Sequence, residues 1–135
     1  MPAREPVHFA VDFGTTNTVV VCDRHGAPVP LALPGLTADR TGTPAIPSAV
    51  SFPGQGQPLI GQAAVDMNHL GLGRQRNYAQ GFKRHLGGGA AAAVAGVESR
   101  PITALQAAQA FFDALREALR SHLRPRRRSA STQGV

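Results

Sequence analysis

The chain has no tryptophan, one tyrosine and one cysteine in 135 residues. A single cysteine, Cys22, excludes an internal disulfide, and its place in an apolar run reads as a small core residue. The five histidines, His8, His25, His69, His85 and His122, show no metal-ligand spacing with one another or with Cys22. No Ser/His/Asp arrangement is legible. No apolar run approaches the length of a membrane span. Met1–Pro6 carries one charge of each sign, and no long apolar segment follows before Asp12. A secretory signal is therefore not expected, and the cytoplasm is. Lysine is nearly missing as well, Lys83 being the only one. The net charge of +6 is concentrated in Arg124, Arg126, Arg127 and Arg128; removing these four leaves +2. A basic tail on a near-neutral body, without interleaved aromatics, supports salt-sensitive, sequence-blind attraction at most and argues against nucleic acid as the partner.

What is present is a stock of Ala, Val and Leu large enough for one small domain with a core, of the kind soluble α/β proteins use. The organising stretch is Asp12-Phe13-Gly14-Thr15-Thr16-Asn17-Thr18. Apolar, β-branched runs lead into it (Val7–Val11) and out of it (Val19–Cys22), and both are too short for helices. The spacing predicts two strands joined by a tight polar loop. Gly14 permits a backbone turn that a side chain would block, and leaves room for a ligand. The loop's hydroxyls, amide and successive N–H groups suit a phosphate, with Asp12 placed to hold a metal ion or its water shell. The same residues also suit an ordinary hairpin turn, in which Asx and Ser/Thr side chains bond their own backbone.

Along the chain, Met1–Pro6 reads as a polar leader. Val7–Asp12 and Thr18–Asp23 read as strands, the second with both faces covered because Val19, Val20, Val21 and Cys22 are consecutive. Arg24-His25-Gly26 makes a short turn. Pro28–Leu33 reads as a third strand with Val29, Leu31 and Leu33 on one face; its prolines lack donors and place it at a sheet edge. Together these form an antiparallel meander. Pro34–Pro47 reads as a loop, Ser48–Pro53 as a strand, Leu59-Ile60 as a short return strand and Gly61–His69 as a helix whose apolar side is Ala64, Val65 and Leu70. Tyr78–Leu86 reads as a short helix presenting Lys83, Arg84 and His85, and Gly87–Gly89 as a flexible link. Thr103–Leu123 is the clearest helix. Thr103 with Gln106 fits a capping box, and Ile102, Leu105, Phe112, Leu115, Leu119 and Leu123 form a stripe expected to pack on the sheet. Pro125 stops it, and the tail through Val135 is expected to be disordered.

Ala10–Thr18 resembles the first phosphate motif of the actin-like ATPases, the superfamily of DnaK-type heat-shock chaperones, actin and its bacterial relatives, and sugar kinases. Four later stretches resemble the chaperone branch. Thr43–Phe52 resembles its "TPS-V-F" strand entry, with an insertion before Pro47. Leu59–Ala64 resembles its "IG-AA" helix start, Phe82–Gly87 its "KR-IG" segment, and Ile102–Gln106 the "ITPEE" opening of a long helix. The five occur in the family's order and span most of the chain before the arginine tail.

The resemblance implies an α/β fold: part of a ribonuclease-H-like lobe over residues 7–123, a three-stranded antiparallel meander extended by further strands and packed by a long C-terminal helix. It implies ATP and magnesium as cofactors. Asp12 would hold the magnesium through its water shell; Gly14, Thr15 and Thr16 would cradle the β- and γ-phosphates; Lys83 would be the catalytic residue, reaching the γ-phosphate and helping to orient the attacking water. Phosphoryl transfer relies on such charge and positioning more than on covalent chemistry. The family's second phosphate loop, adenosine motif, second lobe and peptide-binding domain have no counterpart here. A partial lobe is therefore expected to bind ATP weakly, to hydrolyse it negligibly and to expose apolar surface along Val19–Cys22 and the Leu105–Leu123 stripe. Unfolded proteins and cochaperones would be partners of a longer relative. A sugar or acetate kinase, or a bacterial actin-like filament protein, shares the first loop and stands as the alternative.

Overall fold

The computed structural model describes residues 7–24, 26–54, 56–70, 76–87, 93–97 and 100–123. The leader 1–6, His25, Gly88 and Gly89 of the expected link and the arginine-rich tail 124–135 lie outside the described residues. The fold is mixed α/β, built from short antiparallel sheets and a long helix near the C-terminal end.

The first sheet is the expected meander. Strands β1 (His8–Phe13) and β2 (Asn17–Arg24) pair antiparallel from His8 opposite Asp23 to Phe13 opposite Thr18. β3 (Ala27–Pro30) pairs with the far half of β2, from Val21 opposite Pro30 to Arg24 opposite Ala27. Gly26 makes the turn between them at φ 78°, in the left-handed region that glycine reaches without strain. Pro28 and Pro30 do lie at an edge, on the side of β2 away from β1. The loop read over Pro34–Pro47 ends in a two-residue strand, β4 (Ile46–Pro47), which takes the near half of that same side, opposite Asn17 and Thr18.

β4 extends this sheet as a fourth strand, and the strands after it do not. β5 (Ala49–Ser51) is the centre of a second one, between β6 (Leu59–Ile60) and β7 (Tyr78–Gln80), both antiparallel to it. The helix expected over Tyr78–Leu86 is therefore corrected. Tyr78, Ala79 and Gln80 spend their backbone on β5, and Gly81 then turns at φ 64° into a single 3-10 turn, Phe82–His85. A third sheet is a hairpin of β8 (Ala93–Val97) and β9 (Arg100–Thr103), which pair antiparallel with a bulge between Ala93 and Ala95. Its first strand falls in the run of glycine and alanine from Gly87 to Gly96, where no apolar alternation announces it.

Helix α1 (Gln62–His69) starts at Gly61, whose φ of 64° and tight setting both demand glycine: a Cβ there would run into the Leu36 carbonyl and the Ile46 side chain. Ala64 is its buried residue, whereas Leu70, expected on the apolar side, is exposed. Helix α2 (Ala104–Leu123) begins with the expected capping box. The Thr103 N–H donates to Gln106 Oε1 at 2.9 Å, and the Gln106 N–H donates to Thr103 Oγ1 at 3.2 Å.

The core lies between the sheets and α2: Val20, Ile46, Val50, Ile60 and Phe82 from the strands and the 3-10 turn meet Ala104, Ala107, Ala108, Phe111 and Leu115 from the helix. The stripe read from the leucines is thus rotated. Leu105 is 70% exposed, and Phe112 and Leu123 are also on the surface, while three alanines face inward. β2 alternates rather than burying both faces: Val20 and Cys22 are buried, and Val19 and Val21 are half-buried. Val29 of β3 is exposed at 55% although Leu33 is buried, so the expected common face is also broken.

Candidate functional site

The turn between β1 and β2 is closed by a single backbone hydrogen bond, from the Gly14 N–H to the Asn17 carbonyl at 2.9 Å. A Cβ at Gly14 would collide with that same carbonyl oxygen, so the close approach admits only glycine. The turn is then fastened from outside by Ser48, which stands between β4 and β5. The Ser48 hydroxyl donates to the Gly14 carbonyl at 2.8 Å, and its backbone N–H donates to the Thr16 carbonyl at 2.9 Å. Ser48 Oγ also lies 2.9 Å from Thr18 Oγ1, and since its one proton goes to Gly14, Thr18 is the donor of that pair. Thr18 and Ser48 are buried at 0% and 3% exposure, where an unmade bond costs most. The turn is therefore held by chain 30 residues or more away, which a self-contained hairpin does not need.

Behind the turn is an aromatic cluster. Phe13, the last residue of β1, has its ring 5.9 Å from Phe82, 5.8 Å from Phe111 and 4.9 Å from Phe112, centroid to centroid. These offset and edge-on contacts are the favourable ones for aromatic rings. They draw the 3-10 turn against the end of β1, because Phe82 is buried between Phe13 and Phe111. Lys83, next in the chain, then reaches back. Its ammonium donates to the Phe13 carbonyl at 2.6 Å and sits 5.5 Å from the centre of the Phe13 ring. A backbone carbonyl at the neck of the turn and a lysine 70 positions later are thus joined directly.

The residues singled out from sequence fall around this turn as follows. Asp12 is exposed at the end of β1, opposite Val19. Gly14 closes the turn. Lys83 meets the neck, at Phe13. Thr15 and Thr16 border a cavity of about 500 Å³, together with Asn17, Ser48, His69, Gln80, Arg84 and His85. Among the described residues, neither Asp12 nor Lys83 belongs to the wall of that cavity. The turn consequently meets Lys83 at Phe13, outside the cavity, and borders Arg84 and the two histidines through the cavity.

Among the described residues no group of three or more His, Cys, Asp and Glu could hold a metal ion by itself. Magnesium sets a lesser demand, since it commonly keeps its waters and takes one or two carboxylates plus phosphate oxygens. The exposed carboxylate of Asp12, at the end of β1, fits that mode of binding.

Sequence reasoning missed Ser48 as the residue that holds the turn and Arg84 as a cavity residue. The signal for Ser48 was present, in the Pro47-Ser48 step of the second motif. The signal for Arg84 was its place beside Lys83 in the fourth. No family model, curated protein or solved structure matches this chain.

Proposed function

We propose that this chain carries a phosphate-binding lobe of the actin-like ATPase kind, of the DnaK-type chaperone branch, and that the Asp12–Thr18 turn receives the terminal phosphates of a magnesium nucleotide. The observation that carries this reading is the bond from Lys83 to the Phe13 carbonyl, which places the chain's one lysine at the neck of the turn. Positive charge and fixed donors are what phosphoryl groups require, and Lys83 brings a charge to the turn.

In this reading Gly14 lets the turn close on the Asn17 carbonyl and so shapes the loop, and the hydroxyls of Thr15 and Thr16 with neighbouring N–H groups donate to phosphate oxygens. Asp12 accepts hydrogen bonds from the water shell of magnesium, whose contribution when bound is to neutralise phosphate charge. Ser48 keeps the turn from collapsing by holding the Gly14 and Thr16 carbonyls and the Thr18 hydroxyl in place. The Lys83 ammonium, now on the Phe13 carbonyl, would supply the positive charge for a phosphate oxygen. A ribonuclease-H-like arrangement of the meander under the long helix α2 belongs to the same proposal. Affinity is low, because Asp12 and Thr16 are exposed and the turn covers a ligand from one side only.

Thermal melting of the full chain tests the reading. Magnesium-ATP at about five times its Kd should add roughly 1 kcal/mol of stability. Asp12→Asn and Lys83→Ala should each abolish that gain, with the melting point of each variant without nucleotide as the folding control. Identical melting of the unaltered chain with and without tens of millimolar magnesium-ATP would end the proposal.

A further inference from the structure

The cavity bordering the turn is a separate candidate. Its wall joins four parts of the chain: the turn (Thr15, Thr16, Asn17), Ser48, α1 with His69, and the β7 to 3-10 segment with Gln80, Arg84 and His85. No Asp or Glu among the described residues lines it. Its charge is therefore positive through Arg84, and its remaining polar groups are hydroxyls, amides and imidazoles. The Gln80 amide oxygen accepts the Tyr78 hydroxyl at 2.9 Å, which directs the amide nitrogen, a pure donor, to other partners. At about 500 Å³ the space suits a small organic anion.

We infer that this cavity binds the phosphoryl group of a small phosphate ester, with Arg84 as the charged anchor and His69, His85 and Gln80 as further donors. Phosphate is favoured over a carboxylate by the number of donors. A carboxylate has two oxygens to satisfy, whereas a guanidinium fork, two imidazoles and an amide line this one cavity, donors enough for three. Lys83 and Arg84 then divide the work of adjacent positions: Lys83 serves the neck of the turn, and Arg84 serves the cavity. The site shares Thr15 and Thr16 with the nucleotide reading, and Arg84, which that reading does not use, tells the two apart.

Calorimetric titration of the full chain with inorganic phosphate tests this, with EDTA present and sodium chloride matching the ionic strength. Saturable binding is expected, weakened about tenfold or more in Arg84→Ala by loss of charged hydrogen bonds. Arg84→Lys should keep part of it, and Arg120→Ala, which removes the same charge from α2, should leave it unchanged. Acetate should bind more weakly than phosphate. Three results overturn the inference: no saturation, equal affinity in a normally melting Arg84→Ala, or equal loss in Arg120→Ala. The nucleotide response requires magnesium and Lys83, whereas the phosphate response requires neither magnesium nor a second ligand. Loss of one without the other therefore tells the two sites apart.

Discussion

β1 and β5 are both strands beside the same turn, and they are opposite in character. β1 runs for six residues along the free edge of the meander, with only Phe9 and Phe13 half-buried and the other four exposed. β5 has three residues, and all three are buried. It lies between β6 and β7, with α1 and α2 packed against it. Length therefore says little about how much of the core a strand supplies; neighbours on both edges and both faces decide it. The turn hangs between these two settings. Its ends belong to the open sheet, and Ser48 ties its middle to the start of the closed one.

Matched charges would break this contrast most severely. Val50→Asp puts a carboxylate at a site with 0% exposure. An unpaired buried charge costs several kcal/mol, comparable with the about 5 kcal/mol that separates a small domain from unfolding. Circular dichroism should show loss of the cooperative melt. Val11→Asp, at a β1 position 39% exposed, should melt within a few degrees of the unaltered chain. Equal damage from the two would mean that the open sheet is covered in solution.

The link between the settings is the next test. Ser48→Ala removes the hydroxyl that holds the half-buried Gly14 carbonyl and the fully buried Thr18 hydroxyl. Denaturant unfolding should show a loss of about 1–3 kcal/mol, the range for stranded buried polar groups. Hydrogen exchange should show the Gly14 amide, bonded to Asn17, losing protection more than amides of α2. The smallest effect is expected at Leu105→Gln. Leu105 is 70% exposed, so the change should stay within about 0.5 kcal/mol, as surface substitutions do. A loss of several kcal/mol there would restore the leucine stripe as the packed face of α2.

Much of the local structure was legible in advance. The β-branched runs around Asp12–Thr18 marked two strands and their turn, the prolines at 28 and 30 marked an edge, and Thr103 with Gln106 marked the start of α2. Four strands were not legible, Ile46–Pro47 and Arg100–Thr103 among them. Tyr78–Gln80 carries no alternation long enough to see, and becomes a strand because β5 offers it partners. Ala93–Val97 is alanine, valine and glycine, whose weak strand preference is overridden by pairing with β9. The α2 stripe was misread because hydrophobicity favours leucine over alanine. In the folded chain the small side chains of Ala104, Ala107 and Ala108 face the crowded core, and Leu105 and Phe112 lie on the rim. For the site, the motif singled out Asp12, Gly14 and Lys83, but the arrangement around the turn had no local signature.

From the order of residues alone came whatever acts over a few positions: the Gly14 turn, the capping box and the proline edge. These depend on backbone geometry and on hydrogen bonds between near neighbours. The fold as a whole decided which face of α2 is inside, that Ser48 grips the turn, and that Lys83 and Arg84 go to different places. Those outcomes depend on the packing of Phe13, Phe82 and Phe111, three rings that only meet when segments up to about a hundred positions apart, Phe13 to Phe111, are brought together.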